Sequence, residues 1–181
     1  LTEIFLRTAE GTAAFVLIEG GGGIGKTSLM NGLGPRVLER RGIFLEGRFD
    51  EFRREVPYVA LVEVLDEWFR RLLGESEEVL SGWREDILAA VGPNGQLLVD
   101  LMPALAFIIG PQPGTRPLVA AEAQNRFFAI FSRFFSMLPR PDRPLVLCLD
   151  DLQWMDSGSR RLMIDRRNTQ PPYVPCGGRG P

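Results

Sequence analysis

The sequence predicts an α/β domain: a parallel β-sheet with helices packed on both faces. Three observations point there. Residues 13–18 and 144–149 are continuous apolar runs of strand length, the pattern of strands buried on both faces. Segments of helical apolar spacing lie between and after them, at 57–73 and 120–138 above all. The first apolar run empties into a glycine-rich stretch that opens a helix, and the last ends in two carboxylates.

The elements follow in order. Residues 2–10 are expected as a short helix with Ile4, Phe5 and Thr8 on one side and Gly11 as its stop. Residues 13–18 form the first strand, and a helix follows the glycines from Lys26 to about Leu33. Gly34-Pro35 breaks that helix, and Pro35 starts another that Gly42 closes. Residues 43–49 are a second strand, and 51–55 a charged loop with Arg53 and Arg54 facing solvent.

Pro57 opens a helix through Leu73 in which Leu61, Leu65, Trp68 and Leu72 share a face. A helix over 83–91 is stopped by Gly92-Pro93-Asn94-Gly95. Residues 96–109 are apolar and helical, interrupted at Pro103, and the Gly/Pro-rich stretch 110–117 is a stiff connector. The helix over 120–138 carries Phe127, Phe131, Phe134 and Phe135 on one stripe, which is expected to pack as core; a partner-binding face is the alternative. Residues 144–150 are a third apolar strand, and Ser157 is expected to cap a last helix to about Asp165. Residues 166–181 show no period and few apolar positions, and are expected to be a disordered tail.

Composition excludes several classes. The chain has 181 residues, 45% hydrophobic and 24% charged, enough for one core. A net charge of -2 does not favour nucleic acid, which needs a basic face, so no direct nucleic-acid binding is expected. The absence of histidine removes a Ser-His-Asp triad, a Cys-His dyad and any His-ligated zinc. Two distant cysteines do not make a disulfide framework, and Cys148 reads as a small buried hydrophobe, which fits a reducing cytoplasm. No run approaches the roughly 20 apolar residues of a membrane span, and no signal peptide is visible. The chain opens on Leu rather than Met and reads as a piece of something longer.

The chemistry concentrates at two places. Gly20-Gly21-Gly22-Gly23-Ile24-Gly25-Lys26-Thr27-Ser28 has the Gly-x4-Gly-Lys-Thr spacing of the Walker A phosphate loop. Glycine amides can approach phosphate oxygens that side chains would block, and the following helix adds the positive end of its dipole. Lys26 is the chain's one lysine against twenty arginines. A compact ammonium on a thin stem reaches between phosphates where a planar guanidinium does not. Lys26 is assigned to the β- and γ-phosphates and to catalysis, Thr27 to Mg2+, and Gly20, Gly21, Gly22, Gly23, Ile24, Gly25 and Ser28 to the cradle around a nucleoside triphosphate.

The second place is Asp150-Asp151 at the end of the third strand. A strand-end carboxylate holds the water shell of Mg2+ in phosphate-loop proteins, so Asp150 is the metal candidate. Asp151 is the candidate that orients or deprotonates the attacking water. Trp154 either walls the nucleotide region or packs structurally.

Several stretches together carry a resemblance: residues 23–29, Gly47-Arg48-Phe49-Asp50-Glu51-Phe52, Val56-Pro57-Tyr58, Gly92-Pro93-Asn94-Gly95-Gln96, residues 121–127 and Leu149-Asp150-Asp151-Leu152-Gln153-Trp154-Met155-Asp156. They resemble the STAND-type, origin-recognition-like AAA ATPase module of bacterial multidomain signalling proteins. The resemblance implies a three-layer α/β/α P-loop NTPase fold of the AAA type, C-terminally incomplete, over residues 1–165. It implies ATP and Mg2+ as cofactors, a nucleotide-dependent switch as function, and covalently linked sensor, kinase or output domains as partners, with self-association allowed.

Two departures stand out. Gly21-Gly22 replaces bulkier residues, which predicts a looser loop. In the resembled fold a further strand inserts between the first strand and the acidic one. Here the chain is expected to turn into the 166–181 tail, which reads like an out-of-frame stretch, before that strand forms. Each unmet buried backbone group would cost roughly 1–3 kcal/mol. The chain alone is therefore expected to be marginally folded, with weak or no ATPase activity. Two other functions fit the same residues: a small-molecule P-loop kinase, and an inactive interaction fragment using Phe127 to Phe135.

Overall fold

Four parallel-paired strands form two separate ribbons in the computed structural model, which describes residues 1–8, 14–114, 120–140, 142–169 and 174–176. Strand β1 (Val16–Ile18) pairs with β4 (Val174–Cys176), and β2 (Ile43–Arg48) pairs with β3 (Leu145–Asp150). The second ribbon is in register over its whole length, from Ile43 opposite Leu145 to Arg48 opposite Asp150. Both pairings are parallel, as the continuous apolar runs predict. The expected single three-layer sheet is thus present as an α/β arrangement with small parallel ribbons, and no ladder joins β1 to β3 among the described residues.

The helices are α1 (Thr2–Thr8), α2 (Lys26–Asn31), α3 (Gly34–Glu39), α4 (Val59–Leu72), α5 (Glu77–Val91), α6 (Gly95–Val99), α7 (Leu105–Ile109), α8 (Ala120–Met137) and α9 (Ser157–Thr169). The α5 helix begins a turn and a half earlier than its apolar spacing predicts. Ser76 caps it by accepting from the Val79 N–H at 3.5 Å, and Glu77 and Glu78 sit favourably at its positive end. No helix among the described residues is long and apolar enough to cross a membrane.

The core lies over one face of the β2–β3 ribbon. Ile43 and Leu45 meet Leu61, Leu65 and Phe69 of α4, and behind them Ile87 of α5 and the α8 aromatics. Phe131 and Phe134 are fully buried, Phe135 nearly so, and Phe127 and Phe131 stack at 5.3 Å. The aromatic stripe is therefore core: of the Phe127 to Phe135 surface that an interaction fragment would use, Phe131, Phe134 and Phe135 are buried and Phe127 is half-buried against them. The opposite face of the ribbon, with Phe44 and Val146, carries a small cluster of Phe5, Leu33 and Val37. Residues that alternate along β2 and β3 thus serve two helical layers.

Three expectations are corrected. β1 is three residues long and half-buried rather than deeply buried, because it has one neighbouring strand in place of two. The last helix runs to Thr169, past the expected end at Asp165. A strand does form after it: β4 pairs in parallel with β1, and among the described residues it makes no ladder with β3. Pro175 cannot donate to a ladder, which suits so short an edge pairing. Gly11, Ala13, the connector residues Thr115, Arg116 and Pro117, and tail residues 170–173 and 177–181 lie outside the described residues.

Candidate functional site

The glycine-rich candidate phosphate loop leaves β1 at Glu19 and ends where α2 begins at Lys26. Two of its glycines are required by the backbone: Gly23 has φ 75° and Gly25 φ 95°, a region that side chains rarely adopt. A Cβ at Gly20 would press on the Ile24 side chain at 3.1 Å, whereas Gly21 and Gly22 face open space. Lys26 Nζ donates to the Gly20 and Gly21 carbonyls, each at 2.8 Å, and so folds the loop back on itself. Ile24 is 71% and Leu29 53% exposed, so the loop and α2 stand at the surface. Ser28 is exposed on α2.

The acidic strand end meets this loop. Thr27 Oγ1 donates to Asp150 Oδ2 at 2.9 Å, across 123 residues of sequence. Asp150 also accepts, through Oδ1, from the Asp151 N–H at 2.9 Å. Thr27 of α2 and Asp150 of β3, the two residues assigned to the metal, are therefore brought together, although among the described residues no backbone ladder joins β1 to β3. Among the described residues there is no group of three or more Asp, Glu, Cys or His that would cage a metal alone. A hydroxyl and one carboxylate are oxygen donors of the kind Mg2+ takes, phosphate and water oxygens completing its shell when it is bound.

Asp151 takes a left-handed backbone, φ 54°, which aims its carboxylate back at the ribbon. There Arg48 Nε donates to Asp151 Oδ2 at 2.6 Å, and Gln153 Nε2 donates to Oδ1 at 3.1 Å. The Arg48 hydrogen bond, then that of Gln153, holds the Asp151 carboxyl below the usual carboxylate range; the charge of Lys26 acts in the same direction. The same bond with Asp151 raises the Arg48 guanidinium. In this arrangement Asp151 is ionised and engaged, a weak base until Arg48 releases it. Sequence reading misses Arg48 as a site residue. Its signal is the parallel register that sets Arg48 opposite Asp150, which only the paired strands reveal.

A third carboxylate is also missed. The cap of α9 is Asp156, not Ser157. Asp156 is 3% exposed, and it accepts from the Ser159 N–H at 2.8 Å, the Ser159 hydroxyl at 2.6 Å and the Tyr58 N–H at 3.0 Å. Trp154, half-buried, sits in the 3-10 turn between Asp151 and Asp156. Arg53 pairs with Glu63 at 2.5 Å on the surface. A surface cleft between α5 and α8 is lined by Asp86, Ala89, Arg133 and Arg140 and by none of these residues.

The comparisons with known proteins identify the family. The profile of the AAA ATPase domain family matches residues 1–172. A hybrid signal transduction histidine kinase G of Dictyostelium discoideum is 33% identical over 157 residues, covering 87% of this chain and 4% of that protein. Histidine protein kinase 1 of Candida albicans is 24% identical over 181 residues, covering 91% of this chain and 7% of that protein. The chain thus spans a small fraction of these two relatives, which are histidine kinases by name and come from eukaryotes; they do not bear on the bacterial setting that the resemblance implies. No solved structure matches the chain at a significant level. With a phosphate loop and a strand-end carboxylate bonded to each other, and the family profile matching nearly its whole length, this chain belongs to the AAA ATPase domain family.

Proposed function

We propose that the chain is the ATP-binding segment of a nucleotide-dependent switch inside a multidomain signalling protein. The observation that carries this is the 2.9 Å bond from Thr27 to Asp150, which brings the loop hydroxyl and the strand-end carboxylate to one point. Mg2+ with ATP would supply charge neutralisation of the phosphates at that point. The Lys26 ammonium, now bonded to the Gly20 and Gly21 carbonyls, would move onto the β- and γ-phosphates. Gly20 to Gly25 and Ser28 would offer backbone and hydroxyl donors around them. Asp150 and Thr27 would hold the metal, and Asp151, once free of Arg48, would orient the attacking water.

The switch is then a change of partners for Lys26 and Asp151, which linked kinase or sensor domains would read. The relatives' histidine-kinase architecture supports that setting, and a cytoplasmic placement belongs to the same reading. Calorimetric titration with ATP, with and without Mg2+, tests it on the chain and its Lys26→Ala variant. The reading expects magnesium-dependent binding that the variant loses. Equal binding by both, or none by either, contradicts it.

A further inference from the structure

The loops that follow β2 and β3 run side by side and are tied at both ends. At the strand ends, the Phe49 N–H donates to the Asp150 carbonyl at 3.1 Å, and Arg48 pairs with Asp151. At the far ends, the Tyr58 N–H donates to the Asp156 carboxylate at 3.0 Å. The segment carrying Asp151 is thus five residues long between two anchors, β3 and the Asp156 clasp.

The clasp is unusually determined for a helix cap. Tyr58 has φ 62°, a left-handed backbone that is unfavourable for a non-glycine residue. That conformation points its N–H at Asp156. Its ring packs against the first turn of α9, where a Cβ at Gly158 would come within 2.7 Å of it. The ring's other neighbours are Phe127 and Phe131 of α8, at 5.1 and 5.3 Å. Both Asp156 oxygens are satisfied by three donors, so the buried carboxylate is fully used and has no spare role in ligand binding. An α9 cap alone would need only Ser159; the Tyr58 bond adds a tether between two loops.

We propose that Asp156 is a positioning residue: through the Tyr58 clasp it fixes the far end of the 151–156 segment and so sets where the Asp151 carboxylate stands. This rests on the assignment of Asp151 to hydrolysis, but the tether itself does not. Removing the carboxylate frees one end of the segment while leaving the phosphate loop, Thr27 and Asp150 in place. Turnover then suffers and nucleotide binding does not.

The test is hydrogen exchange by mass spectrometry, with ATPase kinetics, on the full chain and its Asp156→Ala, Asp156→Asn and Ser159→Ala variants. In Asp156→Ala, amides of residues 151–156 should exchange roughly tenfold faster, with α5 and α7 at wild-type rates. Asn keeps an acceptor for the Tyr58 and Ser159 N–H groups, so Asp156→Asn should restore most of the protection. Ser159→Ala, which removes one donor, gives a milder loosening of the same peptide and serves if Asp156→Ala does not fold. In hydrolysis, kcat should fall about tenfold or more with KM within about threefold, again recovered by Asn. Unchanged exchange in 151–156, exchange raised evenly along the chain, or a rise in KM at constant kcat overturns the proposal. If wild-type protein shows no Lys26-dependent hydrolysis, the ATPase reading fails separately and the exchange pattern alone decides the tether.

Discussion

Arg48, the last residue of β2, and Asp151, the first residue after β3, form an ion pair at 2.6 Å. Because the two strands are parallel and in register, a cation ending one strand lies beside an acid following the other. The pair keeps the candidate catalytic carboxylate ionised but occupied.

Arg48→Gln should release it. Asp151 has a depressed folded-state pKa, so the pair's contribution is complete above the ordinary carboxylate range and is lost as pH falls through the depressed value. The variant should therefore show a shallower loss of stability on the acid side, and the Asp151 carboxyl signal in carbon-detected NMR should titrate at higher pH. An unchanged titration contradicts the pairing in solution. Arg48 is largely exposed and solvent screens the pair, so stability at neutral pH should change little.

The phosphate-loop glycines should divide by backbone. Gly25→Ala forces φ 95° on a side chain and should destabilise by about 1–2 kcal/mol. Gly21 has open space before it, so Gly21→Ala should stay within about 0.5 kcal/mol of wild type. Thermal denaturation of the two variants checks this, and equal losses would mean the loop does not hold the observed conformation.

Cys148 should behave as an inert core thiol. Burial first, then the nearby Glu46 charge, raises its pKa from 9.0 to about 11. Since the folded thiol holds its proton to higher pH, this contribution to stability is complete below the unfolded value and is lost as pH rises through about 11. In a Cys176→Ser background, alkylation at pH 8 should be roughly a hundredfold slower in the native protein than in denaturant. Fast native alkylation would show that β3 opens.

Much of the site was legible in the sequence because its chemistry is local. The glycine spacing, the single lysine and the acid ending an apolar run each lie within a few residues, and the structure sets Thr27 against Asp150 as that spacing requires. The α8 stripe was legible for the same reason, since helical period alone marks a buried face. What was not legible depends on distant partners. Asp156 and Ser157 are equally good caps by type, and the choice falls to Asp156 because the Tyr58 N–H, 98 residues away, needs its acceptor. Arg48 becomes a site residue only through the register of two strands. The β4 strand is three residues with a central proline, too short for any period to show.

The most direct measurement is Mn2+ electron paramagnetic resonance with ATP, manganese standing in for magnesium, on wild type, Thr27→Ala and Asp150→Asn. The account predicts an ATP-dependent bound-Mn2+ signal in wild type, weakened at least about tenfold in affinity, ~1.4 kcal/mol, in each variant. Binding of the Mn2+–ATP pair that neither substitution disturbs would contradict it.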